Sequence, residues 1–170
     1  MTRSQTAAPR IATRLALLLL AGLPLTGCSI IPDPKDAPTI YAPEAKAEAD
    51  PACPSVAWQL ATTRPGAARV LDSSRIAVSP VPGELQVYKG AVWARTTPEM
   101  LEDGVLRTLE DSGKIPAVAR QGSGIGADYR LVMDLRHFKA DYAGAAVPSA
   151  VLEVNVKLLH SHDQVVVGSR

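Results

Sequence analysis

Hydrophobic and polar positions change their rhythm three times along the chain. From Leu15 to Leu25 the sequence LALLLLAGLPL is apolar throughout, and Arg3, Arg10 and Arg14 precede it. Crossing the roughly 30 Å hydrocarbon layer takes about 20 apolar residues in a helix. This run has eleven, with Pro24 among them, so the basic, apolar and small segments in succession predict an export leader and not a lasting span. From Ser29 to Pro54 the rhythm disappears: SIIPDPKDAPTIYAPEAKAEADPACP holds six prolines and few large apolar residues. Such a stretch buries too little surface to offset its ordering entropy, and an extended tether is expected.

Alternation then begins. Val56, Trp58 and Leu60 predict a half-buried strand that leaves at Arg64-Pro65-Gly66. Ile76 and Val78 predict a second, ended by Pro80-Val81-Pro82-Gly83, and Glu84–Tyr88 a third, with Leu85 and Val87 on its inner face and Lys89-Gly90 as its break. Ala91–Ala94 resumes the extended path. At Thr96-Thr97-Pro98-Glu99 the period becomes helical, since Thr96 with Glu99 fits a capping box and Pro98 an early helical position. Leu101, Val105 and Leu109, widened by Met100 and Leu106, form the predicted apolar stripe. Glu102, Asp103, Arg107 and Glu110 take the other side, and Ser112-Gly113 supplies the stop.

Past the helix, Ile115–Ala119 predicts a short strand, which Pro116 confines to an edge or a strand start. The glycines of GSGIG, 122–126, predict a turn. Tyr129–Phe138 predicts a long strand with Tyr129, Leu131, Met133 and Leu135 inward. Val151–Leu159 predicts its antiparallel partner, with Leu152, Val154, Val156 and Leu158 inward, joined through Gly144–Ser149. The chain reaches Arg170 within the apolar run that starts at Val165, a pattern that predicts further C-terminal sequence.

Composition limits the functions available. At 170 residues, one domain with an arm is expected. Removing the first 27 residues leaves 15 basic and 17 acidic side chains, a net charge of −2 that gives no electrostatic footing on nucleic acid. GSGIG leads into a strand, with no helix N-terminus for a phosphate. His160-Ser161-His162-Asp163 lacks an evident third metal ligand and is better read as a solvated hairpin turn. No nucleophile elbow or zinc-protease motif occurs. Ser73-Ser74 suits a turn, Cys53 in DPACPS a free, silent thiol, and no cofactor or metal is expected. Trp58 and Trp93 are core candidates. Trp93, with Tyr88, is also the candidate partner or ligand contact.

Leu25-Thr26-Gly27-Cys28 resembles the lipobox of bacterial lipoproteins, in which the cysteine becomes the first mature residue and carries acyl chains. A buried methylene contributes about 0.8 kcal/mol, so two or three chains hold firmly where one does not. In such lipoproteins serine after the cysteine, here Ser29, implies the outer membrane. The segment VAWQLATTRPGAARVLDSSRIAVSPVPGELQVYKGAVWARTTPEMLEDGVLRTLEDSG, followed by ADYRLVMDLRHF, resembles the ABC-type transport auxiliary lipoproteins, which include the paraquat-inducible protein C type.

That resemblance implies an α/β (α+β) domain with a curved, mostly antiparallel sheet, helices on one face, and a further C-terminal helix beyond Arg170. It implies 1–27 as leader, 28–54 as acylated cysteine and tether, and 55–170 as the domain. The function implied is non-enzymatic, periplasm-facing and outer-membrane anchored. Such a protein assists transport of lipids or other apolar compounds by docking a mammalian-cell-entry type substrate-binding protein that works with a permease and an ATPase. Some members form homo-oligomeric rings. The alternative is a lipoprotein regulator of a cell-wall synthase.

Overall fold

The computed structural model describes residues 37–44, 47–48 and 50–170. The leader, Cys28 and Ser29 lie outside them. In chain order the elements are β1 (Thr39–Tyr41), β2 (Leu60–Thr62), β3 (Gly66–Ala67), β4 (Arg75–Ser79), β5 (Gln86–Trp93), α1 (Thr97–Asp111), β6 (Val118–Arg120), β7 (Tyr129–Asp141), β8 (Ser149–His160) and β9 (Val166–Ser169). This is an α+β fold with one helix among the described residues.

The sheet is organised about β7, whose 13 residues span roughly 40 Å at the usual strand rise. Along one edge β7 receives three short parallel partners in succession: β2 at Tyr129–Leu131, β3 at Asp134–Leu135 and β4 at Lys139–Asp141. Its other edge pairs antiparallel with β8, from Tyr129 opposite His160 to Asp141 opposite Ser149, and β9 continues beyond β8. β6 flanks β2, while β5 flanks β4 and carries β1 outside it. With β1–β5 and β2–β6 also parallel, five of the eight pairings are parallel and three antiparallel, so the expected α+β fold has a mixed sheet where a mostly antiparallel one was expected.

Alternation explains which side of β7 is buried. Met133 and Leu135 are 3 % and 2 % exposed, and Asp134 between them faces water. At Arg136 the strand gains one residue over β8, because Leu135 pairs with Val154 and His137 with Glu153. An extra residue re-phases a strand. His137 therefore turns outward and Phe138 joins Leu71, Ala77 and Leu135 in one core cluster.

α1 covers part of that side. Thr96 stands at its N-cap in extended conformation, and its amide donates to Glu99 Oε2 at 3.2 Å. Pro98 occupies the first turn, where a missing amide costs nothing. Gly113, at φ +62°, turns left-handed after the Ser112 cap, a conformation that Cβ-bearing residues resist. Leu106 packs with Leu60 and Val118, and Leu109 and Ile115 close over them with Trp58, Tyr129, Leu131 and Leu158.

Several expectations need correction. Val56–Gln59 is not strand; the paired segment starts at Leu60, and Val56 bonds instead through its amide to Lys114 O at 2.9 Å. Lys89-Gly90 does not end β5. Gly90 takes φ +72°, and the strand passes through an irregularity in which Val87 and Val92 face Ala77 and Arg75 of β4. Leu85, expected inside, is 49 % exposed just before β5, and Leu152 is 57 % exposed although it lies opposite Phe138. Within the stretch expected to be tether, Thr39–Tyr41 pairs in parallel with Ala91–Trp93 as β1. That pairing has no local sequence signal and depends on a strand fifty residues away.

Candidate functional site

Tyr88 and Trp93 lie on one strand, but β5 gives them different neighbours. Tyr88 stands at the start of the irregular segment, and its hydroxyl meets the Tyr142 hydroxyl at 3.0 Å. Sharing that hydrogen bond raises the phenol's pKa above its ordinary value, and burial and the second ring act in the same direction. The two hydroxyls thus clasp β5 to the end of β7.

Trp93 lies at the other end of β5. Its amide donates to Ser74 O at 2.7 Å, and its ring stands edge-on to Tyr41 at 6.5 Å and tilted against Phe138 at 5.7 Å. The indole Nε1 is buried and has no acceptor among the described residues. An unpaired buried donor costs on the order of 1–3 kcal/mol. Trp93 is thus a packing residue whose indole N–H has no acceptor among the described residues. Trp58 stands edge-on to Tyr129 at 5.0 Å within the core and has no such feature.

The most buried group of charges was missed from the sequence. Glu102 and Asp103, expected on the solvent side of α1, are 7 % and 8 % exposed. Thr62 Oγ1 donates to Glu102 Oε1 at 3.2 Å, Arg120 Nε lies 3.9 Å from the same oxygen, and Arg120 and Arg95 both pair with Asp103. Arg95 comes from the β5–α1 connection and Arg120 from β6, so the two carboxylates fasten the helix to the sheet edge. Helical period alone marks them as polar. Only the fold shows that two arginines arch over them.

An open cleft of about 580 Å³ lies alongside, lined by these four residues together with Glu99, Leu106, Arg107 and Glu110. Both signs of charge line it, and the carboxylates of Glu102 and Asp103 already accept from partners within the chain. As arranged, the cluster performs attachment.

The remaining motifs fall in turns. GSGIG connects β6 to β7, with Gly122 and Gly124 at positive φ. His160–Asp163 begins the β8–β9 hairpin, where His160 Nδ1 lies 3.0 Å from Asp163 Oδ1. Asp163 also accepts from the Val165 amide at 3.1 Å, and that bond first, then His160, holds its carboxyl below the ordinary range. Ser73 Oγ donates to Val70 O at 2.8 Å. Cys53 is exposed and has no disulfide partner among the described residues.

Comparison with known proteins fits this architecture. Residues 39–170 match the family model described as ABC-type transport auxiliary lipoprotein component. The match begins at the first residue of β1. A crystal structure of a Xanthomonas campestris protein, assigned to the family model DUF330, is 57 % identical and superposes with a TM-score of 0.74, covering 78 % of this chain and 74 % of its own. The crystal structure of an uncharacterized protein, 15 % identical with a TM-score of 0.57 over 79 % of this chain and 76 % of its own, shares the fold. No curated protein matches. With 132 consecutive residues matched, from Thr39 to Arg170, the chain belongs to the family of ABC-type transport auxiliary lipoprotein components.

Proposed function

We propose that this auxiliary lipoprotein is a non-enzymatic docking subunit, held on the periplasmic side of the outer membrane by acyl chains on Cys28. There it receives the mammalian-cell-entry type substrate-binding protein of a transporter for lipids or other apolar compounds. The observation that carries the reading is the family match over 39–170 behind a lipobox that ends at Cys28. The side chains give secondary support: the most buried charge cluster is engaged in holding α1 to the sheet. Trp93 and Tyr88 are the proposed contact residues. The buried indole N–H gives Trp93 a reason to gain an acceptor, such as a partner carbonyl, on rearrangement.

Two measurements test the reading. Intact-mass analysis of the native protein is expected to find Cys28 as the N-terminal residue, carrying acyl chains, and Cys28→Ala is expected to leave the protein uncleaved and unacylated. Crosslinking in cells is expected to recover the transporter's substrate-binding protein. Reproducible absence of that protein, with Cys28 acylated, would reject the docking role and leave the anchor standing.

A further inference from the structure

The two ends of the sheet differ in chemistry. At the end where β4 and β7 finish, two connections lie side by side: 80–85 between β4 and β5, and 142–148 between β7 and β8. Tyr142 N donates to Ser79 O at 2.9 Å and Gly144 N to Pro80 O at 3.2 Å, so the connections form one tip. Val81, Leu85 and Val147 project from it, 46 %, 49 % and 77 % exposed. From Tyr142 to Leu152 the sequence YAGAAVPSAVL has no charge and in 80–85 Glu84 alone carries one, while Asp141 at the base of the tip, which accepts from the Ala143 amide, is paired with Lys139 at 2.9 Å. The opposite end exposes Ile125, but its connections also bear Asp128, His162 and Asp163.

The direction of β1 relates this tip to the anchor. β5 leaves the tip at Gln86, and β1 runs parallel to it from Thr39 opposite Ala91 to Tyr41 opposite Trp93. The chain therefore enters β1 from the tip side. Ten residues, 29–38, separate Cys28 from Thr39; fully extended they reach at most about 35 Å. Strand spacing puts the tip roughly 10–15 Å from the level of Thr39. Presenting the opposite end to a membrane would require this leash to reverse and run nearly taut along the sheet.

We propose that the tip formed by Val81, Leu85 and Val147 is a second membrane contact, its aliphatic side chains entering the boundary between headgroups and acyl chains of the bilayer that holds Cys28. The inference rests on the acyl anchor proposed above. Exposed aliphatic side chains on an almost uncharged tip suit the boundary between headgroups and acyl chains, and they suit it without anionic lipid. Anchor and tip together fix the domain's orientation, turning the β6–β7 and β8–β9 connections toward the periplasm.

The test uses the mature acylated protein reconstituted in phosphatidylcholine vesicles with brominated acyl chains. Val147→Trp reports from the tip, Ile125→Trp from the far end, and the parent chain gives the background of Trp58 and Trp93. Quenching of the added fluorescence at 147 is expected to exceed that at 125 by at least about twofold, with little change on adding salt. Equal quenching at the two positions in protein that floats with the vesicles overturns the tip contact alone. Shielding of position 147 by a second protein, and not by lipid, overturns it as well. Acyl-bearing protein that fails to float overturns the anchor reading and the tip contact with it.

Discussion

The part of the sheet beneath α1 and the β8–β9 wing have similar apolar sequences and different surroundings. Under the helix, Leu60, Leu106, Val118, Met133 and Leu135 are 9 % exposed or less. On the wing, Leu152 is 57 %, Val166 49 % and Val167 53 % exposed, although β8 alternates as regularly as β7. Alternation determines which side of a strand a residue occupies. Whether that side is dry depends on what lies over it, and α1 stands over β2, β6 and β7. Cooperative stability should therefore reside in the covered part, which includes Val154 and Leu158 of β8, while the exposed end of β8 around Leu152 and β9 are held chiefly by their ladders.

The sharpest way to break this comparison is to truncate leucines on the two parts. Leu135→Ala removes a side chain that touches Leu71, Ala77 and Phe138 and leaves a cavity, so it should cost about 2–5 kcal/mol. Leu152→Ala, on the neighbouring strand and the same side, should stay within about 0.5 kcal/mol. Urea unfolding of the two variants measures both. Equal losses would show that the wing is covered in solution.

A smaller effect is expected at the carboxylate that fastens the helix. Asp103→Ala leaves the Arg95 and Arg120 guanidinium groups without their shared partner. Both arginines are about half exposed, so water recovers part of the loss and the cost should be about 1–2 kcal/mol. Arg107→Ala, on the exposed side of the same helix, should cost less than about 0.5 kcal/mol. If the two substitutions cost the same, the cluster is surface decoration and the helix is held by Leu106 and its neighbours alone.

What was legible in the sequence follows the range of the interaction. α1 and its Thr96 start were readable because capping is local, within four residues. The β7–β8 pair was readable because two long alternations flank a glycine-bearing turn. β1 was not, since Thr39–Tyr41 becomes a strand only against Ala91–Trp93. Nor was the inward turn of Phe138, which depends on one extra residue at Arg136 that appears only when β7 is aligned with β8. The buried Glu102 and Asp103 were misplaced for a similar reason. Helical spacing grouped them with Arg107 and Glu110, while their cover comes from Arg95 and Arg120 on other elements. Of the proposed contact residues, Tyr88 and Trp93 were chosen for residue type and place on a strand; the Tyr142 clasp and the unmet indole bond became visible only in three dimensions.

Acid gives the mildest way to separate the covered part from the wing. Asp72 is held below the ordinary carboxylate range by the Arg64 guanidinium at 2.5 Å, and Asp163 by the Val165 amide and then by His160. Both folded-state pKa values are lowered, so the unfolded chain binds more protons in the acid range and stability rises with pH there. The contribution is complete above the unfolded carboxylate value near 4 and is lost as pH falls through the lower folded value. Asp72 anchors the β3–β4 connection beside the helix N-cap, where Arg64 also lies 3.4 Å from Thr96 Oγ1; Asp163 anchors only the β8–β9 turn. Asp72→Asn should therefore reduce the acid slope of the global urea midpoint. Asp163→Asn should leave that slope nearly unchanged and speed amide exchange in Val165–Ser169. A global slope equally sensitive to both positions would mean that the wing and the covered part unfold as one unit.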